Sequence, residues 1–360
     1  MMLTIQTLFN DPHIVNAVIQ RVLQTRKDTI YWQQYLGFRR TTTRVFKDYI
    51  GQVTGVMAGS INSRYGEKPI RERRNIGSGY GEIAYLGDRY QISIDRLSDL
   101  QDLIDKYNAA KPEDQKAAMR DIVDFIYDDY RQVLLAPHKR MDIIVGSLLM
   151  TGAASVKNKD DNAGGIDLLN INLPFKFIKP DTEDKDYFVT YLQQKLNKLK
   201  AIYGTFPKMI MSRGTFVKNI IGSSEFGDKF KMQLTGNEMY MSTGLITSQL
   251  ASAIFTGIGL PAIEIKEDYV MDQTGKNVPI YADDRITLLP KDKVGYMRFH
   301  TPYEAVDGVP GRNYTQADGD MLISGYKDGN GRYLEYTAEW VPQIANPNLI
   351  VNFDLSEMNA

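Results

Sequence analysis

The chain has 360 residues, 43% hydrophobic and 24% charged, with a formal net charge of −1, no cysteine and three histidines. This length and composition exclude wholesale disorder and predict one complex unit or two to three subdomains. The missing cysteine excludes a disulfide framework, thiolate zinc, iron–sulfur ligation and a thiol nucleophile, and the near-zero charge argues against a protein that works mainly by gripping nucleic acid.

No uninterrupted apolar stretch approaches the roughly eighteen residues that a membrane helix needs. The start, MMLTIQTLFNDPH, lacks the basic-then-apolar order of a signal peptide, so a soluble intracellular product is expected. Ile14, Val18 and Val22 recur at helical intervals and predict a short helix within an otherwise extended start. From Arg39 the chain turns polar and β-branched, which suits extended structure. The stretch from Ile50 to Tyr90 is then punctuated by glycines and Pro69. It cannot hold a core of its own, and reads as a long two-stranded flap with a charged tip between Arg64 and Arg74.

The next block is helical. Leu97, Leu100, Leu103 and Ile104 share one face. A longer stripe runs Ile122, Ile126, Tyr130, Val133, Pro137, Met141, Ile144, Leu148, with Pro137 expected to kink the helix or open its second half. Thr151-Gly152 is its stop signal. KNKDDNAGG reads as a loop and DLLNINLPFKF as a short strand. A second helix is expected over Asp186–Tyr203, with Glu183, Asp184 and Asp186 at its start and Lys195, Lys198 and Lys200 at its end, complementing the helix dipole. PKMIMS predicts a strand, followed by a helix from about Gly214 and an apolar helix over Gly244–Phe255. A β-rich run then covers Ala262–His300, with Gly275 and Pro279 bracketing hairpin turns. Near the end, DGDMLISGY and RYLEYTAEWV flank Lys-Asp-Gly-Asn-Gly, a strong hairpin signal. The class is α+β, without repeats.

Each catalytic reading is weak. GIGLPA at Gly257–Ala262 fits the dinucleotide fingerprint by letter, but the predicted order is helix then strand, whereas pyrophosphate binding needs strand then helix. His13, His138 and His300 lie in distant segments and read as surface or packing residues. Asp160-Asp161 and Asp283-Asp284 lack calcium-loop spacing and read as solvated turns. No catalytic, cofactor or metal residues are assigned.

Two basic features remain. The flap tip carries Arg64, Lys68, Arg71, Arg73 and Arg74 beside Glu67 and Glu72, which fits either a solvated loop or ion pairs on another subunit. Residues 1–50 hold Arg21, Arg26, Lys27, Arg39, Arg40, Arg44 and Lys47 against Asp11, Asp28 and Asp48, a net +4 that allows weak contact with a polyanion or an acidic neighbour.

The order of parts resembles a tailed-phage major capsid protein of the Hong Kong 97-type fold, and more narrowly the lambda-type capsid protein E family. The stretches that carry the likeness are Gly79–Ile104, Arg140–Gly152, Pro207–Ile220, Leu260–Gly275 and Asp284–Ala305, in one order over most of the chain. The resemblance implies an N-terminal arm over 1–43 and an extended loop over 44–92 that lies on a neighbour. It also implies a peripheral domain over 93–212 with the long spine helix and second helix, an axial domain over 213–294, and strands returning to the peripheral domain over 295–360. The segment Asp307–Gly331 fits the pattern poorly and reads as a group-specific insertion. No acidic pro-segment precedes the arm, so a separate scaffolding protein is expected.

The function so implied is structural: hexamers and pentamers of an icosahedral shell around double-stranded phage DNA, with no chemical step and no cofactor. Expected partners are further copies of the chain, portal and scaffolding proteins, possible decoration proteins, and DNA in weak non-specific contact, without a membrane. The protein is expected in the virion, after assembly in the host bacterial cytoplasm. The flap-tip cations are expected at subunit interfaces, and Arg21, Arg26, Lys27, Arg39 and Arg40 against neighbours or DNA. An encapsulin-like nanocompartment shell is the alternative within the fold, and a soluble enzyme with an unrecognised site the alternative outside it.

Overall fold

The longest apolar stripe in the sequence becomes the longest helix, Gln115–Thr151, in a computed structural model that describes residues 2–25, 30–50, 77–156, 169–173, 175–225, 248–271, 275–329 and 331–359. At 1.5 Å per residue this spine is about 55 Å long. Ile122, Ile126, Tyr130, Val133, Met141, Ile144 and Leu148 are all buried along it. The helix is continuous through Pro137, which does not open a second helix. A proline in a helix interior costs about 3 kcal/mol or more. Buried side chains on both sides of Pro137, from Val133 to Met141, offset that cost. The spine ends where the sequence indicates, at Gly152 in the left-handed region (φ +70°), whose N–H donates to Leu148 O at 2.9 Å.

The short helix read from Ile14, Val18 and Val22 is present as Pro12–Thr25. The start departs from expectation ahead of it, where Ile5–Asn10 is a further helix and not extended chain. Leu8, Phe9, Val15, Val18, Ile19 and Val22 give them one apolar face, and all six are buried in the core that surrounds the spine. Leaving that face in water would forfeit roughly 1.5–3 kcal/mol per side chain, so the helices fold back onto their own chain. Helix Ile94–Ala109, N-capped by Ser93, packs beside them through Leu100 and Ile104. Arg96 fastens it to the spine, its Nε donating to Asp129 at 2.8 Å and its Nη2 to Phe125 O at 2.7 Å.

A six-stranded sheet covers this core. Its long strand, Gly331–Ile344, pairs with Gly295–His300 and Leu322–Asp328 along one edge and with Ala84–Ile92 along the other. Leu36–Arg40 adds parallel to Gly295–His300, and Tyr314–Gln316 adds beyond Leu322–Asp328. The predicted final hairpin is present, with Asp328 opposite Gly331. The poorly fitting 307–331 segment is no appendage in its second half, because Leu322, Ile323 and Tyr326 of its strand are buried in the sheet.

A second core lies under a five-stranded sheet, in the order Lys176–Ile178, Val351–Asp354, Arg285–Leu289, Lys208–Ser212, Ala262–Lys266. Helix Phe188–Tyr203 fills it with Phe188, Leu192, Leu196 and Leu199. It begins two residues later than predicted, since the acids at 183–184 sit in a separate 3-10 turn, Thr182–Asp184, closed by a capping box. The strand expected at 167–177 is two strands in different sheets: Leu169–Asn172 pairs with Ala153–Val156, and Lys176–Ile178 with Val351–Asp354. The proline between them has no N–H to continue a ladder. The helix expected from Gly214 is one turn, Arg213–Thr215, running into a π-turn, Phe216–Ile221. The apolar helix spans Ser248–Gly257, and 244–247 lie outside the described residues. Pro279 is not a turn residue but the strand partner of Tyr269. Among the described residues, no helix is long and apolar enough to cross a membrane.

Candidate assembly surface

The flap starts as two paired strands. Val45–Ile50 runs antiparallel to Gly77–Glu82, from Val45 opposite Glu82 to Ile50 opposite Gly77. The charged tip, with Arg64, Lys68, Arg71, Arg73 and Arg74, lies outside the described residues. The base of the flap is fixed to the six-stranded sheet by Arg44, which the sequence offered only as one of the cations of residues 1–50. Arg44 donates to Glu339 through Nε at 3.1 Å and Nη2 at 2.6 Å, a two-pronged contact, while its carbonyl accepts the Ile83 N–H at 3.0 Å. Glu339 is only 2% exposed, and His300 Nδ1 lies 2.9 Å from its second oxygen. A carboxylate that deep needs such partners, since an unpaired buried charge is costly. Arg44 and Glu339 are 295 positions apart, so no spacing rule could have joined them.

The arm cations divide. Arg21 pairs with Asp124 of the spine, and Arg40 reaches Asp320 at 3.4 Å and Thr301 at 2.7 Å. Arg39 stacks over Tyr296 at 5.0 Å and stays exposed beside Arg40 on the outer strand of the sheet. Arg26 and Lys27 lie outside the described residues. Arg39 and Arg40 are thus neighbours on one strand that turn to different partners, and Arg21 lies apart from them against the spine.

Two of the histidines are placed by packing and pairing. His138 stacks on Trp32, the rings 5.7 Å apart and 14° from parallel, and Trp340 lies 4.9 Å from it. Next to this cluster Asp142, fully buried, accepts the Trp32 N–H at 2.9 Å and lies 3.5 Å from Lys139 Nζ. Burial lifts its carboxyl to about 6, against the opposing pull of that N–H and of Lys139. His13 is exposed. Asp283 accepts from Ser212 Oγ at 2.5 Å, and the Asp284 N–H donates to Thr215 Oγ1, so this pair belongs to a hydrogen-bonded turn.

No family model and no curated protein matches the chain. Solved structures do. A protein assigned as the capsid protein of an Escherichia coli CFT073 prophage superposes with a TM-score of 0.58 at 12% identity, covering 96% of this chain and 99% of its own. A phage-related protein from Bordetella bronchiseptica RB50 gives a TM-score of 0.51 at 9% identity, covering 95% and 96%. The chain has the Hong Kong 97-type phage capsid fold.

Proposed function

We propose that this chain is a phage major capsid protein that assembles with copies of itself into hexamers and pentamers of an icosahedral shell around double-stranded DNA. The reading rests on one observation: the fold is similar to that of a protein assigned as a prophage capsid protein over nearly the whole of both chains. A capsid subunit needs no chemical step, only repeated head-to-tail contacts that close. Within that reading the arm is 1–43, the extended loop 44–92, the peripheral domain 93–212 and 295–360, and the axial domain 213–294, as in lambda-type capsid proteins. The flap tip, with Arg64, Lys68, Arg71, Arg73 and Arg74, pairs with acids of a neighbouring subunit. Arg39 and Arg40, with Arg26, Lys27 and the part-exposed Arg21, face neighbours or packaged DNA. Portal, scaffolding and decoration proteins are further partners, the host cytoplasm is the place of assembly, and the virion the destination.

The test is direct. Purified chain examined by electron microscopy and sedimentation is expected to form uniform polyhedral particles, and particles from infected or induced cells to hold nuclease-resistant DNA. A chain that stays monomeric at every concentration and salt would overturn the reading.

A further inference from the structure

Between the N-terminal helix and the final hairpin lies a cavity of about 460 Å³, walled by Gln6 and Asn10, the loop 309–312, and Lys327, Asp328 and Arg332. Arg332 is 8% exposed, and its Nη1 is fully buried with no hydrogen-bond partner among the described residues. Its guanidinium has the Phe9 ring on one side, 4.8 Å away. Burial pulls it below the usual arginine range. An arginine held this way is costly unless an anion completes it.

The surroundings leave positive charge over. Arg89 and Arg312 both turn to Glu335, at 3.5 and 3.3 Å, and both stack on Tyr326. Lys327 is exposed and makes no ion pair among the described residues. Counting Arg89, Arg312, Lys327 and Arg332 against Glu335 and Asp328 leaves two cations over.

A matching surface lies on the same chain. Helix Ile94–Ala109 buries Leu100 and Ile104 and turns Asp95, Asp99 and Asp102 to solvent. Steps of four and three put these carboxylates within about 60° of arc. None makes an ion pair among the described residues, and none reaches Lys327 or Arg332 of its own chain.

We propose that the Arg332 cavity is a carboxylate-binding pocket whose occupant is an aspartate from the 95–99–102 face of a second copy of this chain. The inference rests on the shell reading above. It adds the contact partners: an acidic helix face on one subunit and a basic pocket on the next, which differ from each other and so propagate head to tail. Arg332 supplies the desolvated charge and Lys327 the rim that steers the acid in.

The experiment uses assembled particles of the full chain, formed from a mixture of ¹⁴N- and ¹⁵N-labelled subunits. A carbodiimide joins lysine amines to carboxylates already in contact. Mass spectrometry is expected to find Lys327 joined to Asp95, Asp99 or Asp102 with mixed isotope labels, in particles and not in unassembled chain. In parallel, Lys327→Glu and Asp99→Lys, both at exposed positions, are each expected to cut particle yield on the order of tenfold, the effect of 1.4 kcal/mol, with melting temperature unchanged. The charge-swapped double variant is expected to recover most of it. Particles that form other inter-subunit links but not this one, or single variants with wild-type yield, overturn the pocket and leave the shell reading standing. Normal yield with weaker DNA retention in Lys327→Glu assigns the pocket to phosphate and overturns the proposal. Wild-type chain that never leaves the monomer in sedimentation overturns both.

Discussion

Asp142 is the one carboxylate of the spine helix that sits fully inside the core, and its cost is legible in its proton affinity. Its carboxyl titrates near 6 in the folded chain against an ordinary value of 3.8. The native state therefore holds this proton more tightly than the unfolded chain does. The contribution to stability is greatest below pH 4, is lost as pH rises toward 6, and amounts to about 3 kcal/mol over that window. Asp142→Asn keeps an acceptor for the Trp32 N–H without the charge. Its melting temperature relative to wild type is expected to rise between pH 4 and 7, and a difference that is flat across that range would remove the argument. Gly146 makes a second residue-scale prediction. A Cβ there would lie 2.4 Å from Ile280 O, so the spine admits the segment at Ile280 only because this position has no side chain. Gly146→Ala gains in helix propensity, yet it is expected to lose about 1–3 kcal/mol to overpacking in denaturant melts.

At the scale of elements, the strands of the flap pair only with each other among the described residues, so the contact at their base carries weight. An isolated pair of strands is marginal in water. Arg44 and the buried Glu339 tie them to a sheet that is itself anchored on the spine. The two partners are not equivalent. Arg44→Ala leaves a buried carboxylate beside His300, whereas Glu339→Gln leaves a half-exposed arginine that water can solvate. The first is expected to cost about 2 kcal/mol and the second clearly less, after allowance for the exposure of Arg44. Amide hydrogen exchange over 45–50 and 77–82 should quicken in both variants, while the spine amides 122–148 keep their protection. Equal costs, or exchange that does not change, would show that the flap is held elsewhere.

For the whole molecule, the shell reading proposed above puts the stakes in contacts that one chain cannot make. Reversing Arg71, Arg73 and Arg74 to glutamate is expected to reduce particle yield on the order of tenfold, while the monomer's melting temperature stays put. Particles at wild-type yield would take the flap tip out of assembly. The arrangement also explains the composition. Arg21 and Arg40 are answered within the chain by Asp124 and Asp320, so a start with net charge +4 need not grip DNA.

The sequence by itself determined the spine helix, the final hairpin, the strand at Lys208–Ser212 and the paired base of the flap. Each depends on periodicity or turn chemistry within a few residues of itself, such as the three- and four-residue steps from Ile122 to Leu148 or the glycines around Asn330. It also held the class of fold in the order of its parts. Only the tertiary structure decided what lies far apart in the chain. It folded the first 25 residues onto the spine, made Leu322–Asp328 an interior strand of the sheet, and matched Arg44 to Glu339. It also left Nη1 of Arg332 buried with no hydrogen-bond partner among the described residues. Those outcomes depend on which apolar faces and which charges must leave water together, and burial is a property of the assembled core that no local pattern encodes.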